Sequence, residues 1–473
     1  MRFYQCIAYQ WLACFTSSCF QARIIVGWTQ YSEAGSAKVL SPAKAAITTC
    51  ALNPTLRCLR IAPIFHAPLN RSASAWPTVG KNMTAAHSPL AICRDIPSKP
   101  NARDILRAIA CFHRIKMASP LYQAIPPALS TLFASIDGHV KAGAPVFVGA
   151  AGSIARRKNQ NGVEYYVRRF YGAAGTQQET YLGIVGEYEI ASLRAQIDEV
   201  KALVPELRLL AREGFQVADP RTYATLASLH LHGVFAAGAT LIGSHAFGVL
   251  INQMGIRAVA YATEDVDIAR REALAFERIP NKGFLDMLKE SGIDFIEVPQ
   301  LDNKKPSTSF KQQGKSRFHV DLLVPSPNSE IQIIEVPELM AHATALPYLA
   351  YVLGQTEIAS LLAREGCCPV RVPVAERFAI HKLVVSQLRA NRGTKTGKDV
   401  FQAAVLLAAL GEKFPGAIES AVVDLPVSAR RYLLGALPLA LDLMQGHRRA
   451  SEELTDVVAR IGNNGGGSGI FPG

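Results

Sequence analysis

One stretch constrains this chain more than any other: Ala237 to Ala269, AGATLIGSHAFGVLINQMGIRAVAYATEDVDIA. Gly238 to Ile242 is small and apolar, as a buried strand requires, and it stops at Gly243-Ser244. His245 to Met254 then carries helical spacing, with Ala246, Val249, Leu250 and Gln253 on adjoining turns. Gly255 suits a left-handed helix end. Thr263 to Ala269 alternates as a strand, so Asp265 and Asp267 project from one face. A glycine turn at a helix start lets backbone N–H groups approach a phosphate. Two carboxylates on one strand face can hold a hard divalent cation. Taken alone, D-x-D is more often a solvated strand end.

A third carboxylate shifts the balance. Ser316 to Val324, SRFHVDLLV, reads as another strand, with Asp321 between Val320 and Leu322. A lone acid in a buried strand is costly unless it is paired or bound to metal. Glycine turn, D-x-D and a later strand aspartate together suit transfer of a nucleotidyl group, in which metal ions clamp the attacking and leaving oxygens.

These residues give the chain its resemblance to the polymerase-beta-like nucleotidyltransferase superfamily, and more closely to a bacterial nucleotidyltransferase-like family of unknown acceptor. The matching pieces are GSHAFGVLINQMG, TEDVDIA and SRFHVDLLVP, with YYVRRFYGAAGTQQETYLG upstream and VPVAERFAIHKLVVSQLRANRGTKTGKDVFQA downstream. They span about Pro120 to Leu410, and the loop from Gly255 to Ala262 is longer than in the shortest superfamily pattern. The resemblance implies an α/β fold: a mixed sheet with helices as nucleotidyltransferase core, an N-terminal β-hairpin region and a C-terminal helical region. It implies Mg²⁺, with Mn²⁺ as the alternative, on Asp265, Asp267 and Asp321. It implies an NTP held at Gly243 and Ser244, and an H-K helix followed by R…K…D that brings Lys382, Arg389, Arg392, Lys395 and Lys398 toward the phosphates. Asp399 is expected to pair with one of those lysines. Ordinary helix-surface charge is the competing account of that basic cluster. GTKTGKD is not a P-loop, because Asp399 stands where Ser or Thr must bind magnesium.

Net charge does not mark a nucleic-acid binder. Of the formal +12, residues 1–116 carry +11, from fourteen Lys and Arg against Glu33, Asp95 and Asp104. That segment also holds Trp11, Trp28 and Trp76 and seven of the nine cysteines. A long transit peptide, a disulfide module and translated upstream sequence are the three readings. The abrupt change at Met117 favours the last, and the segment is expected to be poorly ordered. Cys367 and Cys368 have no partner at zinc spacing. No apolar run is long enough to span a membrane, and a reducing cytoplasm is the expected setting.

The expected divisions are 1–116, 117–215 (hairpin and connecting helix), 216–345 (catalytic), 346–461 (mainly helical) and a glycine-rich tail, 462–473. In the second, Pro120 to Val140 and Glu187 to Glu213 read as amphipathic helices. Val146 to Ile154 and Val163 to Tyr171 read as strands around a turn at Asn159–Gly162. Arg156, Arg157, Lys158, Arg168 and Arg169 crowd that hairpin with Tyr165, Tyr166 and Tyr171. Such a surface can stack bases or simply pack and solvate. Lys304 to Lys315 reads as a polar loop. The expected reaction is transfer of NMP to an acceptor hydroxyl with release of pyrophosphate. RNA ends, protein side chains and small molecules all fit as acceptor. A non-catalytic nucleotide- or nucleic-acid-binding module and a toxin-type transferase of a toxin–antitoxin pair are the alternatives. Base preference and oligomeric state are not legible.

Overall fold

The computed structural model describes residues 120–463, apart from 260–262, 279, 303, 329 and 390–393. The expectations for residues 1–116, for the tail beyond Asn463 and for Arg392 lie outside the described residues.

A short strand β1 (Gln123–Ala124) precedes helix α1 (Pro127–Lys141). The helix starts later than its apolar spacing suggests because Pro126 and Pro127 set its first residue: proline excludes α conformation before it and is tolerated at the first helical position. Strands β2 (Ser153–Lys158), β3 (Glu164–Tyr171) and β4 (Gln177–Ile184) form an antiparallel sheet. The first expected strand, Val146 to Ile154, is loop as far as Gly152. Gly149 and Gly152 take φ of +74° and +76°, and a Cβ on Gly152 would collide with the Arg169 carbonyl. Tyr181-Leu182-Gly183 lies near the end of the third strand. The Asn159 turn is as expected, with Asn159 Oδ1 accepting from the amides of Asn161 (3.0 Å) and Val163 (2.9 Å).

Helix α2 (Ala191–Arg212) buries Ile197, Val200, Leu207 and Leu210. Helix α3 (Pro220–Leu231) is capped by Asp219, whose carboxylate accepts from the amides of Arg221 and Thr222. Strand β5 (Thr240–Ile242) runs straight into α4 (Gly243–Gln253), and Gly255 ends that helix at φ +63°. Strand β6 (Ile256–Arg257) pairs antiparallel with β1. Then follow β7 (Asp265–Ala269), α5 (Phe284–Lys289), β8 (Phe295–Glu297), β9 (Ser309–Gln312), β10 (His319–Pro325), β11 (Gln332–Val336) and β12 (Ala341–Leu346). Strand β9 corrects the loop expected over Lys304–Lys315. Phe310 is its apolar anchor, buried in the core and edge-on to Phe284 at 5.2 Å.

The main sheet is seven-stranded and mixed. Its path is β11-β12-β10-β7-β5, with β9 on β10 and β8 on β9. β10 runs parallel to β7 and to β12, while β5 is antiparallel to β7 and β9 antiparallel to β10. β10 changes neighbour along its length, pairing with β9 over His319–Asp321 and with β12 over Leu323–Pro325.

Beyond the sheet lie α6 (Leu349–Val352) and the hairpin β13 (Thr356–Leu362) and β14 (Cys367–Pro373). The stretch from Tyr351 to Arg364 thus comprises a helix end and a strand. Cys367 and Cys368 are buried and unbridged. Five helices follow: α7 (Ala375–Leu388), α8 (Thr394–Lys413), α9 (Ala417–Val423), α10 (Val427–Leu443) and α11 (Arg448–Asn463). A continuous apolar core joins the sheet to them, through residues such as Leu241, Val266, Val320, Phe378 and Leu406. Among the described residues no helix is long and apolar enough to cross a membrane.

Candidate functional site

The site grows out of strand register. Parallel pairing of β7 with β10 sets Asp265 opposite His319 and Asp267 opposite Asp321. Alternation along each strand sends these four side chains to one face, while Val266, Ile268, Val320 and Leu322 fill the core on the other. The three aspartates singled out in the sequence therefore meet, although fifty-odd residues separate the first from the last.

Ile242 pairs with Asp267 across β5 and β7, so the turn at Gly243 passes directly over that carboxylate. Gly243 has φ +72°, and a Cβ built on it would overlap Asp267 Oδ2. Glycine is thus required twice, for the left-handed backbone and for the close approach. No side chain caps the start of α4, so its first amides remain available to an anion. Ser244 lies on that first turn, and buried Gln402 of α8 donates to its Oγ at 3.5 Å.

The electrostatics are those of crowded acids. Asp267 is pushed up from 3.8 to about 6, first by burial and next by Asp321. Lys382 pulls the other way. His319 stands between two of the acids: its Nδ1 lies 3.5 Å from Asp265 Oδ1 and its Nε2 3.5 Å from Asp321 Oδ2. Asp321 is the main cause of a rise in the imidazole from 6.5 to about 9. The Arg317 carbonyl, 2.9 Å from Nδ1, adds to it. Ser309 of β9 donates to Asp321 Oδ1. Among the described residues no three His, Cys, Asp or Glu side chains close around one point. The donor set itself fits a hard cation: three carboxylates on adjacent strands, one of them hard to ionise without a nearby positive charge. The imidazolium of His319 now supplies a charge of that sign between two of them.

The basic residues fall into two groups. Lys382 of α7 is buried, with Nζ 2.8 Å from Asp399 Oδ1. Arg389 donates from Nε to Asp399 Oδ2, also at 2.8 Å. Asp399, itself buried, thus orients both cations, as the sequence suggested for one. Lys398 has its pKa lowered by burial and by Lys382, while Asp265, Asp399 and Asp267 act in the opposite sense, which sets it beside the acids. Lys395 is exposed on the first turn of α8. Arg270, just after β7, is paired with Glu338 at 3.0 Å. His232 Nε2 meets Glu290 at 2.8 Å.

Sequence reasoning missed His319, Ser309, Gln402 and His245. His319 was within reach, because residues two apart on a strand share a face. His245 lines the wall beside Ser244. Its pKa falls to about 4, chiefly through burial, and its Nε2 is shut off from water with no hydrogen-bond partner. In the hairpin, Arg168 lies over Phe147 and Phe170 and donates to the carbonyls of Ala150 and Ala151. Tyr166 is buried. Both serve packing, leaving Arg156, Lys158 and Tyr171 at the surface.

A family model described as nucleotidyltransferase matches residues 215–425. Among solved structures, the chain is similar to an antigenic nucleotidyltransferase-like protein from Paracoccidioides brasiliensis. Identity is 16%, over 46% of this chain and 91% of that one, with a TM-score of 0.23. No curated protein matches the chain. The matched segment holds the glycine turn, all three aspartates and the Lys382–Asp399 pair, on a mixed α/β core with helices behind it. Over residues 215–425 the chain is thus similar to the nucleotidyltransferase family.

Proposed function

We propose that this domain transfers a nucleoside monophosphate from an NTP to an acceptor hydroxyl and releases pyrophosphate. One observation carries the reading: Asp265, Asp267 and Asp321 share one face of two registered parallel strands, directly under the Gly243-Ser244 helix start. Asp265, Asp267 and Asp321 are the residues that would hold Mg²⁺ or Mn²⁺. When bound, the cation neutralises phosphate charge and makes the α-phosphorus a better electrophile.

The chain's own groups supply the rest. The first amides of α4 and the Ser244 hydroxyl receive the triphosphate, with charge support from Lys382 and Lys398. Arg389 and Lys395 flank that side. Asp321 accepts the acceptor's proton. A bond forms from the acceptor oxygen to the α-phosphorus as the bond from that phosphorus to the bridging oxygen of pyrophosphate breaks.

The test uses the full chain with Mg²⁺, each α-labelled NTP in turn, and total RNA or total cell protein. An Asp265→Ala/Asp267→Ala double variant serves as control. Label passing to either pool only with the intact protein supports the reading and names the acceptor class. Equal transfer by the double variant refutes it. Nucleotide bound but never transferred favours a non-catalytic binding module. Growth arrest on expression that Asp267→Ala relieves marks a toxin-type role.

A further inference from the structure

Helix α8 is apolar along its middle except at one position. From Val400 to Leu410 it reads VFQAAVLLAAL, and Gln402 is the only residue there with a polar side chain. Gln402 is fully buried, as are Val400, Ala403 and Leu406 around it. A primary amide in such a place is costly unless both of its ends are hydrogen-bonded. Gln402 meets that condition at one end. Its Oε1 is shut off from water and has no partner among the described residues. Its Nε2 lies 3.5 Å from Ser244 Oγ. An apolar side chain of the same size would fill this space without leaving an unpaired oxygen. The contribution of the amide therefore lies in its contact with Ser244.

That contact sits at the edge of the site. Gln402 stands one turn beyond Lys398, so the two share a face of α8. Asp265 and Asp267 both act on Lys398, which turns this face toward β7. Ser244 is on the first turn of α4, whose start no side chain caps. A serine hydroxyl has one hydrogen to donate and two lone pairs to accept with, and it rotates to suit its surroundings. An amide N–H directed at the oxygen occupies a lone pair and leaves the hydrogen to point elsewhere. At 3.5 Å the contact is long for an N–H···O bond. It adds little to stability, and its effect is on orientation.

We infer that Gln402 is a positioning residue: its buried amide holds the Ser244 hydroxyl as a donor toward an anion at the start of α4, beside the backbone amides that receive the same anion. The inference rests on the function proposed above and adds a residue, on a separate helix, that acts only through Ser244.

Calorimetry on the full chain with Mg²⁺ tests it, with inorganic tripolyphosphate and the tightest-binding of ATP, CTP, GTP and UTP as probes. The wild type, Gln402→Met, Ser244→Ala and the double variant are compared. Methionine keeps the shape and removes the amide. Gln402→Met is expected to weaken both probes about 5-fold, the worth of one net hydrogen bond, and to weaken neither when Ser244 is already alanine. Thermal melting separates this from a structural role. Gln402→Met, relieved of an unpaired oxygen, should melt at or above the wild-type temperature, and Gln402→Leu guards against a packing fault peculiar to methionine. Equal losses of affinity in both Ser244 backgrounds, or no loss in either, overturn the positioning role and leave the transferase reading intact. So does melting of both the methionine and the leucine variant well below the wild type. Binding of neither probe by the wild type removes the anion site, and with it the transferase reading as well as the positioning role.

Discussion

Gly243 is the residue on which the geometry is least forgiving. Its φ of +72° disfavours any side chain, and the space a Cβ would need belongs to the Asp267 carboxylate. Gly243→Ala must therefore shift either the turn or the acid. The expected outcome is a loss of transfer of about 100-fold or more, the scale set by misplacing reacting groups by an ångström. Far-ultraviolet circular dichroism should stay native-like, and label transfer checks the first point. Ser309 acts one step further out, donating to Asp321 Oδ1. Partners of this kind typically cost 10–100-fold in metal affinity or activity when removed. Ser309→Ala should thus weaken Mg²⁺ activation by about that factor while NTP binding without metal is unchanged, which titration of rate against Mg²⁺ reads directly.

At the scale of elements, the core α/β unit was legible because its signals are local. Small apolar residues ending at a glycine turn, helical spacing to Gly255 and strict alternation through Asp265 and Asp267 survive in the structure within a residue or two. Asp321 was legible as an anomaly, an acid within an apolar strand. Strand β9 was not, because Lys304–Lys315 is polar almost throughout and its one buried residue, Phe310, gives no period. Its place is fixed by pairing with β8 and β10, which sequence spacing does not encode. For the same reason Ser309 escaped notice, and so did β12, whose alternation of alanine with polar residues is a weak strand signal. The basic helix pair was half legible. The residues were found, but that Asp399 takes both Lys382 and Arg389 follows from burial on facing helices.

On the scale of the molecule, the first and last described segments are tied together. Tyr122 donates to Glu412, and His447 Nδ1 donates to the other oxygen of the same carboxylate at 2.6 Å. His447 Nε2 accepts the Leu121 amide at 2.9 Å, and its ring stacks on Tyr122 at 5.2 Å. Every polar atom of the imidazole is used, so this is a clasp and not a general base awaiting a substrate. Glu412→Ala strands the buried hydroxyl and imidazole. It should lower unfolding free energy by about 1–3 kcal/mol in urea denaturation, with nucleotide affinity retained, since none of the clasp residues belongs to β7, β10 or the first turn of α4.

The stacking of Asp267 against Asp321 on paired strands carries one more consequence. A carboxylate whose native pKa is about 6 against 3.8 when unfolded holds its proton more tightly in the folded chain. Folding therefore loses stability as pH rises from about 3.8 to about 6, and above that carries the full penalty of up to about 3 kcal/mol without a counter-ion. Crowding the two acids of the candidate site thus carries a cost in durability. Asp267→Asn should accordingly melt higher than the wild type at pH 8 in the presence of a chelator, and Mg²⁺ should narrow the gap by restoring the wild type. Thermal denaturation of the two proteins, with and without the ion, measures how much robustness has been exchanged for chemistry.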